Sequence, residues 1–366
     1  MNNHLNLVNF LINQKGIRIG SYSFSSSSIK KLAIPSTVVS IEFSAFQECK
    51  TIEKVIIDTP ITVIKSDTFK GCTSLKEVTL PSSLTKIERC AFENCISLEN
   101  IVIPTSVRNI EEKSFSNCKS IKMIDIPIGI SIINYNCFGT CSSLKEIAIP
   151  SSVTIIDDSA FKECSSLTKV TIPSSVTEIR MRAFCECHEL KSIIIPSSVS
   201  TIGDYAFGEC DKLESLIIPS SVNTIGACAF SDCNKLESII IPSSVNLIGS
   251  YAFCDCKSLK SIKILSNLNK IENGLFKGCS SLSEIEIPST YTIIGESAFN
   301  GCSSLTNFNV HSAVTFIGNS AFTDCSSLSE IVIPPHVESI EDNLFQGCKS
   351  LKQISLHSNI SSIGCS

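Results

Sequence analysis

The chain has 366 residues, a formal net charge of −5 at pH 7 and 43% hydrophobic residues, with no Trp. Acidic and basic residues are interspersed, so there is no Lys/Arg-rich footprint for a nucleic acid. No stretch reaches the roughly 18 consecutive apolar residues that a membrane helix needs, so no direct membrane span is expected.

The N-terminal stretch MNNHLNLVNFLINQKG lacks the basic start, compact apolar run and cleavage site of a signal peptide. It reads as a cap or partial segment over 1–16, and taken alone it points to the cytosol. From 17 to 366 the chain repeats itself. Phe recurs every 23 residues, fourteen times without a break of register, from Phe46 to Phe345. Three residues after each Phe stands a Cys, from Cys49 to Cys348, and five before it an Ile, from Ile41 to Ile340 and again at Ile363. A fixed period of this size is the signature of a solenoid.

Each block reads as two short strands and a corner. In Leu236-Glu-Ser-Ile239-Ile-Ile241 apolar and variable positions alternate, as a half-buried strand requires. Pro242 cannot donate to a ladder, so the chain turns there. The Pro slot holds Asp58, Leu265, His311 and His357 in the blocks without Pro, so the turn does not depend on it. Val245 to Ile248 begins the second strand. Ala252-Phe253-Cys-Asp-Cys256 has the spacing of one helical or 3₁₀ turn that buries its Phe. No block can bury its own Leu, Ile and Phe, and stacking gives one continuous core. The fold class is therefore a repeat solenoid of about fifteen blocks with two parallel sheets and short helical or 3₁₀ turns, forming one elongated domain. Ser366 falls two residues before the next expected Phe, so the last repeat reads as incomplete.

The pattern LTKVTIPSSVTEIRMRAFCEC at Leu167–Cys187, with its copies over nearly the whole chain, resembles the BspA-like subclass of leucine-rich repeats. That resemblance implies a curved two-sheet solenoid, found in surface and secreted proteins of bacteria and parasitic protists. It implies adhesion or host-protein binding without enzymatic activity. Ordinary leucine-rich repeats carry Asn or Cys in the polar slot after the first strand. Here Ser83, Ser152, Ser175 and Ser198 occupy it, as in that subclass. The implied cell-surface or secreted location and the cytosolic reading of the N-terminus stand as alternatives.

Fourteen of the twenty Cys share one slot, and their Cβ vectors run parallel, which disfavours bridges between neighbouring rungs. They are expected to be buried, reduced thiols acting as small apolar fillers. Cys90, Cys137, Cys185, Cys228, Cys254 and Cys365 are scattered near the Phe turn. Cys185-Glu186-Cys187-His188 has C-x-C spacing and no second pair nearby, unlike a zinc site, so no metal is expected. No P-loop, dinucleotide fingerprint, zincin or nucleophile-elbow pattern occurs. No catalytic residue and no cofactor are expected.

Two stripes emerge when the blocks are stacked. Glu163, Glu186, Glu209, Asp232 and Asp255 precede the ladder Cys in five successive blocks and read as a solvated corner. The central outward residue of the first strand is Ile194, Ile217 and Ile240, followed by Lys263 and Glu286. These five are the candidate partner-binding residues, on a strand expected to line the concave side. An apolar strip with charge at its rim is the pattern of a protein-interaction surface. The partner expected is a protein, host-derived or extracellular, or alternatively an intracellular one held by a scaffold.

Overall fold

The computed structural model describes residues 16–365. They form two compact units, one ending at Val176 and the other beginning at Thr177. The segment proposed as a cap over 1–16 lies, apart from Gly16, outside the described residues. The blocks make a parallel β-solenoid of about 15 turns with a period of about 23 residues.

The first strand follows the apolar alternation. Ser238–Ile241 runs exposed, buried, exposed, buried, and pairs in parallel with Ser261–Ile264, each residue lying beside the one 23 further on. The corner after it closes by a hydrogen bond from the Val245 N–H to the Pro242 carbonyl at 3.1 Å. His311 serves as well: the Val314 N–H donates to its carbonyl at 3.0 Å and the Ala313 N–H to its Nδ1 at 3.1 Å. The polar slot is a structural spine. The hydroxyls of Ser221 and Ser244 donate to the Val199 and Val222 carbonyls of the preceding blocks at 2.7 and 2.8 Å.

The expected helical or 3₁₀ turn is replaced, and the described residues contain no helix. Overlapping β-turns carry the chain past Phe230: Ser231 N–H donates to the Cys228 carbonyl at 3.1 Å and Cys233 N–H to the Phe230 carbonyl at 3.4 Å. The intervening N–H groups of Cys228, Phe230 and Asp232 donate to the next block, at 3.0, 2.9 and 2.8 Å. Left-handed residues two before and two after the Phe cause this, here Cys228 (φ 53°) and Asp232 (φ 57°). They rotate alternate amides outward, so the backbone that an isolated helical turn would leave unpaired is satisfied by the neighbour.

Inside, the rings of successive Phe residues stack. Phe230 lies 5.6 Å from Phe207 and 5.5 Å from Phe253, nearly parallel to both. Phe24 begins the stack, 5.2 Å from Phe46. It escapes the 23-residue pattern because it stands only 22 residues before Phe46.

The second-strand ladder runs unbroken through Glu178–Ile179, Thr201–Ile202, Thr224–Ile225 and Leu247–Ile248. The first-strand ladder is interrupted. Ser192–Ile194 pairs with Ser215–Ile217, and a separate sheet then joins Ser238–Ile241, Ser261–Ile264 and Glu284–Glu286.

Candidate interaction surface

The five candidate residues lie on the outward side of the first strands. Ile194 and Ile217 sit directly beside each other in paired strands and are 83% and 82% exposed. Ile240, 58% exposed, belongs to the next sheet segment, where it stands beside Lys263, and Lys263 beside Glu286. The strip is thus two paired Ile residues followed, across an interruption, by Ile240 and a charged pair. The inward neighbours Ile193, Leu216 and Ile239 fill the core, so the strand pleat holds the outer Ile side chains in water.

The rim charges are largely self-compensated. Lys263 Nζ lies 2.6 Å from Glu286 and Lys260 Nζ 3.1 Å from Glu237, all four well exposed. Such pairs contribute about 0–1 kcal/mol to stability and orient charge more than they hold the fold.

A second apolar group escaped the sequence reading. Val102, Met123 and Ile128 are 82%, 72% and 76% exposed. Val102 occupies the same central slot as Ile194, which is the signal that would have found it. Met123 and Ile128 lie in a block whose first strand is missing and whose strand is Ile132–Ile133, in slots that hold Ser192 and Ser197 three blocks on, so apolar residues in polar slots were the signal.

The acidic stripe sits on left-handed turn positions: Glu186, Glu209, Asp232 and Asp255 have φ between 56° and 61°. Burial first, and then Glu186 and Asp232, push the Glu209 carboxyl above its ordinary value. Burial and Asp255 do the same to Asp232. Glu163 is lowered by its hydrogen bond to Lys162. Ligand atoms of Cys185, Glu186 and Glu209 lie within 4.8 Å of one another, as do those of Asp67, Cys90 and Glu93. Each group offers three donors, short of the four of a structural zinc site. Lys70 pairs with Asp67 and Glu93 at 3.4 and 2.8 Å. His188 pairs with Asp211 at 2.8 Å and is not among the donors that converge at Cys185.

All twenty cysteines are free thiols. Those of the repeated slot point into the core, where Cys210, Cys233 and Cys256 donate to the carbonyls of Phe184, Phe207 and Phe230 at 3.3, 3.4 and 3.1 Å. Burial pushes their acidity down: the Cys141 thiol is raised to about 12, and Cys118, Cys164 and Cys233 well above the ordinary value. These are inert fillers in chemistry, since the thiolate is the reactive form; Cys49, at the first rung, is the exception, lowered to about 6 by its hydrogen bonds to Cys72 and Ser27.

Parallel two-strand blocks, in-register Leu, Ile and Phe stacks and a core shared between neighbouring blocks define a leucine-rich repeat solenoid. The model for the BspA type leucine rich repeat region matches with six copies, over residues 2–122, 62–191, 177–303 and 269–366, and the chain belongs to this family. Among solved structures, a leucine-rich repeat protein from Bacteroides ovatus ATCC 8483 is similar, with 32% identity, TM-score 0.82, and coverage of 89% of this chain and 86% of its own. A leucine rich cell surface protein from Faecalibacterium prausnitzii A2-165 shares 28% identity at TM-score 0.55, covering 96% of this chain and 91% of its own. No curated protein matches the chain. Leucine-rich repeat proteins generally bind proteins and act as non-enzymatic scaffolds. No helix among the described residues is long and apolar enough to cross a membrane.

Proposed function

We propose that the chain is a protein-binding module of the surface-antigen type, which meets an extracellular or host protein through the first-strand face centred on Ile194, Ile217 and Ile240, with Lys263 and Glu286 at its rim. The observation that carries this reading is the pair Ile194 and Ile217, held side by side and more than four-fifths exposed. Large apolar side chains kept in water by the pleat are available to a partner without any rearrangement of the core. The similarity to a leucine rich cell surface protein supports a location outside the cell. Adhesion is served by a surface that several blocks present in register, so that modest contacts add.

Two measurements test it. A membrane-impermeant label applied to intact cells tags the protein if it is displayed, and leaves it untouched if it is intracellular. Replacing Ile194, Ile217 and Ile240 together by Thr keeps strand propensity and the buried face. The expected result is a loss of roughly tenfold or more in partner retention with unchanged circular dichroism. Full retention by the triple variant would reduce the strip to sheet packing.

A further inference from the structure

The first-strand ladder opens between the blocks of Ile285 and Phe308. Glu284–Glu286 pairs on one side with Ser261–Ile264. On its other side no backbone hydrogen bond reaches the segment 306–310 among the described residues. To the following block that segment is tied by the bridge from Asn307 to Glu330 and by the Ser329 N–H, which donates to the Thr306 carbonyl at 3.2 Å. Meanwhile the second-strand ladder stays closed at Ile293–Ile294 and Phe316–Ile317, and the Phe stack stays regular, with Phe299 5.4 Å from Phe322. The blocks therefore separate on one face only.

Phe308 stands at this opening. It fills a slot that holds Ile in the neighbouring blocks, at Ile262, Ile285 and Ile331. Its ring is 7% exposed and leans on both Phe299 and Phe322, at 4.8 and 5.3 Å. A larger side chain in a filled layer pushes its neighbours apart. A cleft of about 690 Å³ lies beside it, between Glu284–Ile287 and Asn307–Asn309. Ile285 and Ile287, whose counterparts Ile262 and Ile264 are buried, are left half-buried on its floor. Its rim carries Glu284 and Glu286. Glu286 is paired with Lys263, whereas Glu284 has no ion pair among the described residues.

We infer that this cleft takes one extended peptide segment carrying a lysine or arginine, added as a strand along the free edge of Glu284–Glu286. Three features converge on that occupant. An unpaired strand edge offers alternating N–H and C=O groups to an incoming strand. The half-buried Ile floor suits apolar side chains at every second position. The unpaired Glu284 carboxylate suits a cationic side chain beside it, whose stem lies along apolar surface. The chain uses the same cross-strand pairing itself, with Lys54 of one strand 2.9 Å from Glu77 of the next. A cleft of this volume is within the range of ligand-sized sites. The inference does not rest on Ile194, Ile217 and Ile240, which lie on other blocks, and shares only Glu286 with the rim of that surface.

The test uses the full chain and two labelled peptides, Val-Lys-Val-Lys-Val and Val-Glu-Val-Glu-Val, followed by fluorescence anisotropy at low salt. The lysine peptide is expected to bind and the glutamate peptide not. Glu284→Gln should weaken binding about tenfold. Phe308→Ile should abolish it, and should slow amide exchange at Thr306 to Asn309 as the ladder closes. The triple Thr variant of the Ile strip should bind as the unmodified chain does, which separates this site from the proposed function. Failure of the lysine peptide to bind, equal binding of both peptides, or undiminished binding by Glu284→Gln or by Phe308→Ile would each overturn the inference.

Discussion

Phe230→Ala removes a ring from the middle of the aromatic stack. Phe230 is fully buried, and its two stacked neighbours, Phe207 and Phe253, lie 5.6 and 5.5 Å away. Truncating such a residue costs about 3–5 kcal/mol, and losing two ring contacts places the expectation in the upper part of that range. The backbone is not the cause of the loss. The Phe230 N–H bond to the Ala252 carbonyl and the Cys256 thiol bond to the Phe230 carbonyl survive the substitution. Phe345 provides the internal control. It is half-buried and has one stacked neighbour, Phe322, at 6.1 Å. About half the burial and half the ring contact leave roughly 2 kcal/mol. Urea titration followed by far-ultraviolet circular dichroism measures both. The denaturant slope must be fitted for each variant, because a repeat array can lose its all-or-none transition when an interior block is weakened. Equal losses at Phe230 and Phe345 would refute the nearest-neighbour account, in which stability is the sum of block and interface contributions.

Titration with a thiol reagent should find Cys365 reactive and the slot cysteines from Cys95 to Cys325 unreactive in the folded protein, with all twenty accessible after denaturation; thiols still blocked in denaturant without reductant would show bridges instead. Cys90 and Cys348 are raised to about 11 and Cys141 to about 12, so folding holds protons that the unfolded chain releases near the ordinary value of 9.0. The stability these three thiols contribute is therefore fully present below that pH and is lost as the pH rises toward 12; a denaturation midpoint unchanged between pH 8 and 11 would contradict buried thiols. Gly249→Ala should cost about 1–3 kcal/mol, because a Cβ there would lie 2.6 Å from the Ala227 Cα and the Gly226 carbonyl carbon of the preceding blocks. Gly301→Asn should stay within about 0.5 kcal/mol of the parent, since its left-handed backbone (φ 77°) is shared by Asn94 and Asn117 and the nearest atom to a Cβ is 3.4 Å away; thermal melts of the two variants distinguish these outcomes.

The sequence by itself determined the period, the slots and the parallel stacking. Phe, Cys and Ile recur at fixed offsets, and a side chain that cannot be buried within its own block is satisfied by the copy beside it. The alternation around Ile193, Leu216 and Ile239 also separated inward from outward residues, so the exposure of Ile194 and Ile217 was legible in the sequence. The turn was misread in form. Ala-Phe-x-x-Cys spacing fits a helical turn as well as overlapping β-turns, and the difference lies in backbone rotation at Cys228 and Asp232. Residues tolerant of a left-handed backbone, such as Gly71, Asn94, Asp255 and Gly301, mark one of those two columns and carried that signal. Phe24 was hidden by a spacing one residue short. Tertiary structure alone decided where the first-strand ladder holds and where it parts, because a ladder depends on the volumes of facing layers and not on the propensity of either strand. Phe308 satisfies the apolar pattern as well as Ile does. Only the fold shows its ring set between Phe299 and Phe322 beside a strand edge that stands open.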